Sequence, residues 1–449
     1  MSQTQSTPTT PDVRAEVEAL VERARAAQRS IEGYSQSQAD DLVTAVGWSV
    51  VQHREELARV AVEEGGFGDY ASKVTKIRLR VTGVLKDMQG TKTVGIVEEI
   101  PERGLVKIAK PVGVVAAIIP STGPDATPPV KALCALKARN AIVVAPHPRT
   151  QRATAMVVER MREGCARVGA PPDLVQVLAR PSIAKTQELM RQADLIVATG
   201  GADMVRSAYS SGTPAYGVGV GNAVHVVDET GDLDDAARMI ARAKTFDQAT
   251  SCLADNAVIA HETIYDALVA RLVAEGAHMC DAAEKARLRG VMWPGGAHLP
   301  SLDVIAKPAA RIAELAGISL APGRTFIVVE EEEDGVGPEH PFSGEKLSVV
   351  LALYRYRGGI ENAVAQVNAI TAYQGLGHTC GIHTTSDAHV DALAFGTKTA
   401  RVLVNQNLNE GAGSPRNGLP FTLSLACGTW GRNITTETVN VRHFLNLTW

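Results

Sequence analysis

Residues 244–258, KTFDQATSCLADNAV, place one cysteine, Cys252, among small and polar neighbours between two stretches that read as packed secondary structure. A thiol is a strong nucleophile as its thiolate, which a helix N-terminus, a cation or backbone donors can stabilise. The same side chain also serves as a small buried filler. The six cysteines (Cys134, Cys165, Cys252, Cys280, Cys380 and Cys427) are far apart and form no CxxC pair, so they imply free thiols with neither a disulfide framework nor a metal site.

Three glycine-bearing stretches add possible chemistry. ATGG (198–201) puts two glycines between a strand and a helix, where backbone N–H groups and the helix dipole can hold a pyrophosphate, or where the chain simply turns. In GVGVGN (217–222), glycines at 217, 219 and 221 let the backbone lie against a flat ligand or act as a connector. His378, within GLGHTCGIHT (375–384), can orient a phosphate or be structural.

Elements are needed to bring these segments together. From Asp12, helical spacing gives one helix, and a second helical pattern runs from about residue 37 to 64. A third runs over 71–88, and all three read as a scaffold layer without chemistry. Residues 93–109 read as a two-stranded hairpin turning at Pro101–Gly104. Apolar runs then alternate with helices: 112–120, 141–148, 173–179 and 194–201, each followed by a helix. That alternation indicates a buried parallel sheet, with ligands at the carboxyl ends of its strands. A strand at 223–228 closes this unit, and a second α/β unit follows from about Gly231. The tail, 435–449, alternates and ends in Trp449, which favours strand addition to another sheet and an oligomer.

The composition is that of a globular protein of two or more domains: 449 residues, 45% hydrophobic and 21% charged. A net charge of -4 gives no basic footprint for nucleic acid and no polybasic membrane patch. No apolar run is long enough to span a bilayer, and residues 1–11 lack the pattern of a signal peptide, so a cytoplasmic location is expected.

The segment 110–150, KPVGVVAAIIPSTGPDATPPVKALCALKARNAIVVAPHPRT, together with ATGG, GVGVGN, TSCLADN, HPFSGEKLS, GLGHTCGIHT and CGTWGRN in that order, resembles the CoA-acylating branch of the aldehyde dehydrogenase superfamily. Within it, the chain is most similar to the stand-alone enzymes, among them those for sulfoacetaldehyde and for the short aldehydes of bacterial microcompartments. The resemblance implies the aldehyde dehydrogenase fold, an α/β architecture. A Rossmann-like parallel-sheet cofactor domain spans 12–228 with a bridging hairpin at 93–110, a second α/β catalytic domain spans 229–409, and a return segment and oligomerisation strand span 410–449, after a disordered tail at 1–11.

The implied reaction is NAD(P)-dependent oxidation of a short aldehyde, such as sulfoacetaldehyde, acetaldehyde or propionaldehyde, to an acyl-CoA through a thioester on Cys252. By the same resemblance, Glu345 accepts from a cofactor ribose. Thr199, Gly200 and Gly201 lie by the pyrophosphate and nicotinamide, with Gly219, Gly221, Asn222, Ser121 and Thr122 nearby and Pro146 and His147 where the adenosine is met. NAD and NADP both remain open, and CoA is the co-substrate. Val218 stands where hydrolytic members carry a glutamate base, and a valine cannot activate water. Gly123 replaces an asparagine that donates to the oxyanion in the family, a loss worth about 10²–10³ in rate. Arg432 stands where glycine is common and would pair with a sulfonate if it lies near the site. The rivals are a hydrolytic enzyme yielding the free acid and a weakly active structural paralogue. A homodimer or homotetramer is expected, with microcompartment association open.

Overall fold

The computed structural model describes residues 11–449. The tail expected at 1–11 lies outside the described residues, except for Pro11, which opens the helix Pro11–Ile31. The pattern read as one helix over 37–64 is two, Gln36–Gln52 and Arg54–Gly65, because the chain leaves helical geometry at His53 (φ −97°, ψ 10°), whose ring bonds to the Ser49 carbonyl at 2.8 Å. A further helix, Tyr70–Asp87, is N-capped by Asp69, whose carboxylate accepts from the Ser72 N–H.

The hairpin is Gly95–Ile100 (β1) and Leu105–Pro111 (β2). Five parallel strands follow: Val114–Ile118 (β3), Ala141–Ala145 (β4), Val175–Val177 (β5), Leu195–Thr199 (β6) and Ala215–Val218 (β7), in the order β5-β4-β3-β6-β7. The second sheet contains Val224–Val227 (β8), Ala257–His261 (β9), Ala277–Met279 (β10), Phe326–Glu330 (β11), Val350–Tyr356 (β12), Gly377–His383 (β13) and Thr399–Val404 (β14), in the order β10-β11-β12-β9-β8-β13-β14. All of its pairings are parallel. Both sheets are covered by helices on their faces, which is why β3, β4, β8 and β9 are buried at every residue and read as unbroken apolar runs.

Two readings are corrected. The strand expected to close the first unit at 223–228 pairs with β9 and β13, so it belongs to the second sheet and the division falls between Val218 and Val224. Three-residue β10 was not legible, because it is too short to show a period. The tail strand, Leu445–Thr448 (β15), adds antiparallel to β2 of its own chain. No helix is long and apolar enough to cross a membrane.

The two sheets present opposite ends to one another. The first sheet reverses its strand order at β3 and β6, and the segments leaving their carboxyl ends, Ser121–Gly123 and Thr199–Gly201, line a cavity of about 280 Å³. The second sheet contributes through the amino ends of four neighbouring strands. Gly221 precedes β8, Cys252 precedes β9, Glu345 precedes β12 and His378 opens β13. The expectation of carboxyl ends, made for the first sheet, therefore fits there, while the second sheet contributes through its amino ends.

Candidate active site

Cys252 is delivered by a helix and a strained turn. The helix Leu233–Thr245 ends at Phe246, and Asp247, Gln248 and Ala249 then all take left-handed backbone angles (φ 51°, 52° and 58°). Such angles disfavour L-residues by about 1–2 kcal/mol each, so surrounding contacts must hold the turn. The holding group is Asp247, which is buried. Its Oδ1 accepts from the Asp69 N–H at 3.0 Å, and its Oδ2 accepts from Lys73 Nζ at 3.1 Å, Lys76 Nζ at 2.6 Å and Thr250 Oγ1 at 2.7 Å. Lys76 also pairs with buried Asp125 at 3.3 Å. Burial opposes the charge on Asp247, but Lys76 and Lys73 outweigh it and hold the carboxyl below its ordinary range. Burial likewise opposes the charge on Lys76, and Asp125 and Asp247 carry its pKa above the ordinary value.

On the other side, Cys252 Sγ lies 3.2 Å from His378 Nε2. Burial, with smaller contributions from Glu345 and Cys427, pushes the thiol up to about 12 against the pull of Arg401. Burial, with Arg401 second, lowers His378 to about 3. The resting pair at neutral pH is therefore an uncharged thiol beside a neutral imidazole. Glu345 lines the same cavity and is pushed up to about 8 by burial, against the Gly221 N–H that donates to its Oε1 at 3.1 Å.

Gly221 is glycine for a packing reason. A Cβ there would stand 2.7 Å from the Cys252 carbonyl oxygen, 2.8 Å from its Cβ and 2.9 Å from His378 Nε2. Any side chain at 221 would push the thiol and imidazole apart.

Ser121, Thr122, Gly123, Thr199, Gly200, Gly201, Val218 and Gly219 all line the cavity with Cys252 and Glu345, as their motifs suggest. Gly201 caps the helix Ala202–Tyr209 without a side-chain hydrogen bond, leaving its first N–H groups free for an anion, and no atom lies within 4 Å of where a Gly201 Cβ would be. That cradle fits a dinucleotide pyrophosphate. A second cavity of about 430 Å³, lined by Ile183, Met190, Met204, Ser207 and Ser210, flanks the same helix.

Several expected contacts are not made. Gly221 and Asn222 sit behind the cavity wall, and Asn222 is fully buried with Nδ2 donating to the Ser343 carbonyl at 2.8 Å, so it anchors the Glu345 segment. Pro146 is buried at the end of β4 and exposed His147 accepts from the Arg149 N–H, and neither lines the cavity. Arg432 is exposed in a left-handed position (φ 58°), a conformation that glycine adopts most readily, and it does not line the cavity. Gly123 leaves room that Thr127 uses: a Cβ at 123 would stand 2.6 Å from Thr127 Oγ1. The helix Tyr70–Asp87, read as scaffold, contributes Lys76 and Arg80 to the lining.

Residues 4–284 match the model of the aldehyde dehydrogenase family. The chain belongs to the aldehyde dehydrogenase family. This family member is 44% identical over 435 residues to the acylating sulfoacetaldehyde dehydrogenase of Bilophila wadsworthia, covering 96% of this chain and 93% of the relative. Its fold superposes on an acetylating aldehyde dehydrogenase from Geobacillus thermoglucosidasius with a TM-score of 0.94 at 38% identity, covering 97% and 96% of the two chains. It superposes on a propionaldehyde dehydrogenase from Rhodopseudomonas palustris, solved with bound CoA and an acylated cysteine, with a TM-score of 0.85 at 28% identity, covering 96% of each.

Proposed function

We propose that this aldehyde dehydrogenase oxidises a short aldehyde to its CoA thioester with Cys252 as the nucleophile. The observation that carries this reading is the 3.2 Å contact between Cys252 Sγ and His378 Nε2 at the edge of a cavity that also holds Thr199–Gly201. The names of the acylating relatives support it.

In this reading the Cys252 thiol gives its proton to His378 as the sulfur attacks the aldehyde carbon. The Cys252 N–H faces its own sulfur and is available to the oxyanion formed there. A bound NAD or NADP supplies the hydride acceptor, and CoA supplies the thiol that carries the acyl group away. Thr199, Gly200 and Gly201 hold the pyrophosphate and nicotinamide end, Glu345 accepts from a ribose, and Ser121, Thr122 and Gly219 complete the wall. The unit of the first sheet is then the dinucleotide-binding domain, and the second unit bears the nucleophile.

Val218 lines the cavity where a hydrolytic base would be needed, and Glu345 is the one carboxylate of the lining. A hydrolytic reading would have to run through Glu345. Reduction of NAD and NADP with sulfoacetaldehyde, acetaldehyde and propionaldehyde, each with and without CoA, decides between them. Strictly CoA-dependent turnover is expected, and release of free acid without CoA would overturn the assignment. Absence of turnover with every aldehyde would favour the structural paralogue.

The sheet β1-β2-β15 supports a homo-oligomer. Exposed Ile96, Val106 and Ile108 share one face of it, exposed Leu447 and Trp449 lie on the other, and β1 and β15 leave open strand edges.

A further inference from the structure

Arg80 is only 8% exposed, lines the cavity that contains Cys252, and is the one cation there without a carboxylate partner among the described residues. Its Nη1 donates to the carbonyls of Ala412 at 2.7 Å and Gly413 at 2.9 Å, and its Nη2 donates to the Asn409 carbonyl at 3.1 Å. A guanidinium carries five N–H donors in a rigid plane. The two left over are the Nε–H and one Nη2–H, the edge of the guanidinium from which an oxyacid can be gripped at two points.

The surrounding charges sharpen this. Lys73 and Lys76 are matched by Asp247 and Asp125. The carboxylate that acts on Arg80, Glu410, is itself paired with Arg416. Glu345, pushed up to about 8, is largely neutral at pH 7. The cavity therefore holds one buried positive charge that no carboxylate contacts directly among the described residues, a costly arrangement that a ligand anion would relieve.

Ala412, whose carbonyl Arg80 grips, packs with Leu253 and Leu425 in the small cluster against which Cys252 also packs. Both Arg80 and Cys252 line the same cavity of about 280 Å³, a volume that admits a short substrate.

We propose that the Nε–Nη2 fork of Arg80 binds a sulfonate or carboxylate at the far end of the aldehyde attacked by Cys252, so that the enzyme selects anionic short aldehydes over uncharged ones. This inference rests on the function proposed above and names its substrate class. It gives Arg80 the part that the sequence suggested for Arg432.

The test compares kcat/KM of the full-length enzyme for sulfoacetaldehyde, succinate semialdehyde and propionaldehyde, with CoA and nicotinamide cofactor present. The expected result is a preference for at least one anionic aldehyde of about 10²-fold or more. Arg80→Gln collapses that ratio and Arg80→Lys restores part of it. A sulfonate preference or a carboxylate preference each supports the fork and identifies the oxyacid.

Because Arg80 also holds a loop, a second measurement uses unaltered enzyme. Ethanesulfonate is expected to inhibit propionaldehyde oxidation competitively, and the uncharged ethyl methyl sulfone is not. Equal kcat/KM for charged and uncharged aldehydes, with no inhibition by ethanesulfonate, would overturn the proposal. Should no aldehyde be oxidised, the reading of function fails separately. Calorimetric titration of ethanesulfonate into the unaltered protein then still decides the fork, by binding or its absence.

Discussion

The two walls of the cavity respond to burial in opposite ways. Around Cys252, burial drives the thiol, the imidazole of His378 and the carboxyl of Glu345 towards their neutral forms, because none has a partner of opposite charge strong enough to prevent it. Across the cavity, Asp247 and Lys76 are as deeply buried yet keep their charges, since each is held by the other and by Lys73 and Asp125. Low dielectric thus holds one wall in its neutral forms at rest and lets the other act as a clamp. The comparison teaches that pairing, and not depth, decides which buried groups stay charged.

The largest effect separates the walls by kind of failure. Cys252→Ala should abolish turnover while thermal unfolding shifts little, and activity measured beside a melting curve checks both. Asp247→Asn should instead act through stability, leaving Lys73 and Lys76 without their shared carboxylate and costing about 3–5 kcal/mol, measured by denaturant unfolding. A well-folded Asp247→Asn variant with ordinary stability would break the comparison.

Next in size is His378→Gln, which removes the proton acceptor at Sγ. It should lower kcat by about 10²–10⁴, read in single-turnover kinetics.

Lys131 sharpens the rule by pH. Its Nζ donates to the carbonyls of Ile118 at 2.8 Å and Val197 at 2.9 Å and meets no carboxylate, and burial lowers it to about 7. The unfolded chain, with a lysine near 10.5, then binds more protons than the folded one between about pH 7 and 10.5. Stability from this group therefore rises with pH across that window, by up to about 1.4 kcal/mol per unit, and is constant below it. Denaturant unfolding of Lys131→Met should show a flatter pH slope than the unaltered protein, whereas Lys76, raised by its partners, adds no such rise.

The smallest effect is at Gly123. Gly123→Ala must turn Thr127 Oγ1 away, and the expected cost is about 1–3 kcal/mol in the melting curve.

Much of the neutral wall was legible in the sequence, because its groups sit in short local motifs. Cys252 in TSCLADN, Glu345 in GEKLS and Thr199–Gly201 in ATGG each announce a loop between packed elements, and all line the cavity. The charged wall was not legible. Lys76 meets Asp247 171 positions away, and Arg80 meets Gly413 333 positions away, so on a helix with ordinary polar spacing they read as solvated residues. Asn222 misled for a related reason: its place beside a glycine cluster suggested a ligand, but its side chain turns inward to Ser343. The opposed use of strand ends was also hidden, since it depends on how two sheets face each other.

The most direct test of the central claim is intact-mass spectrometry of the protein mixed with a short aldehyde and NAD or NADP without CoA. The account predicts one acyl group per chain, located on Cys252, persisting until CoA is added and then leaving as acyl-CoA. An unmodified chain that releases free acid under the same conditions would contradict it.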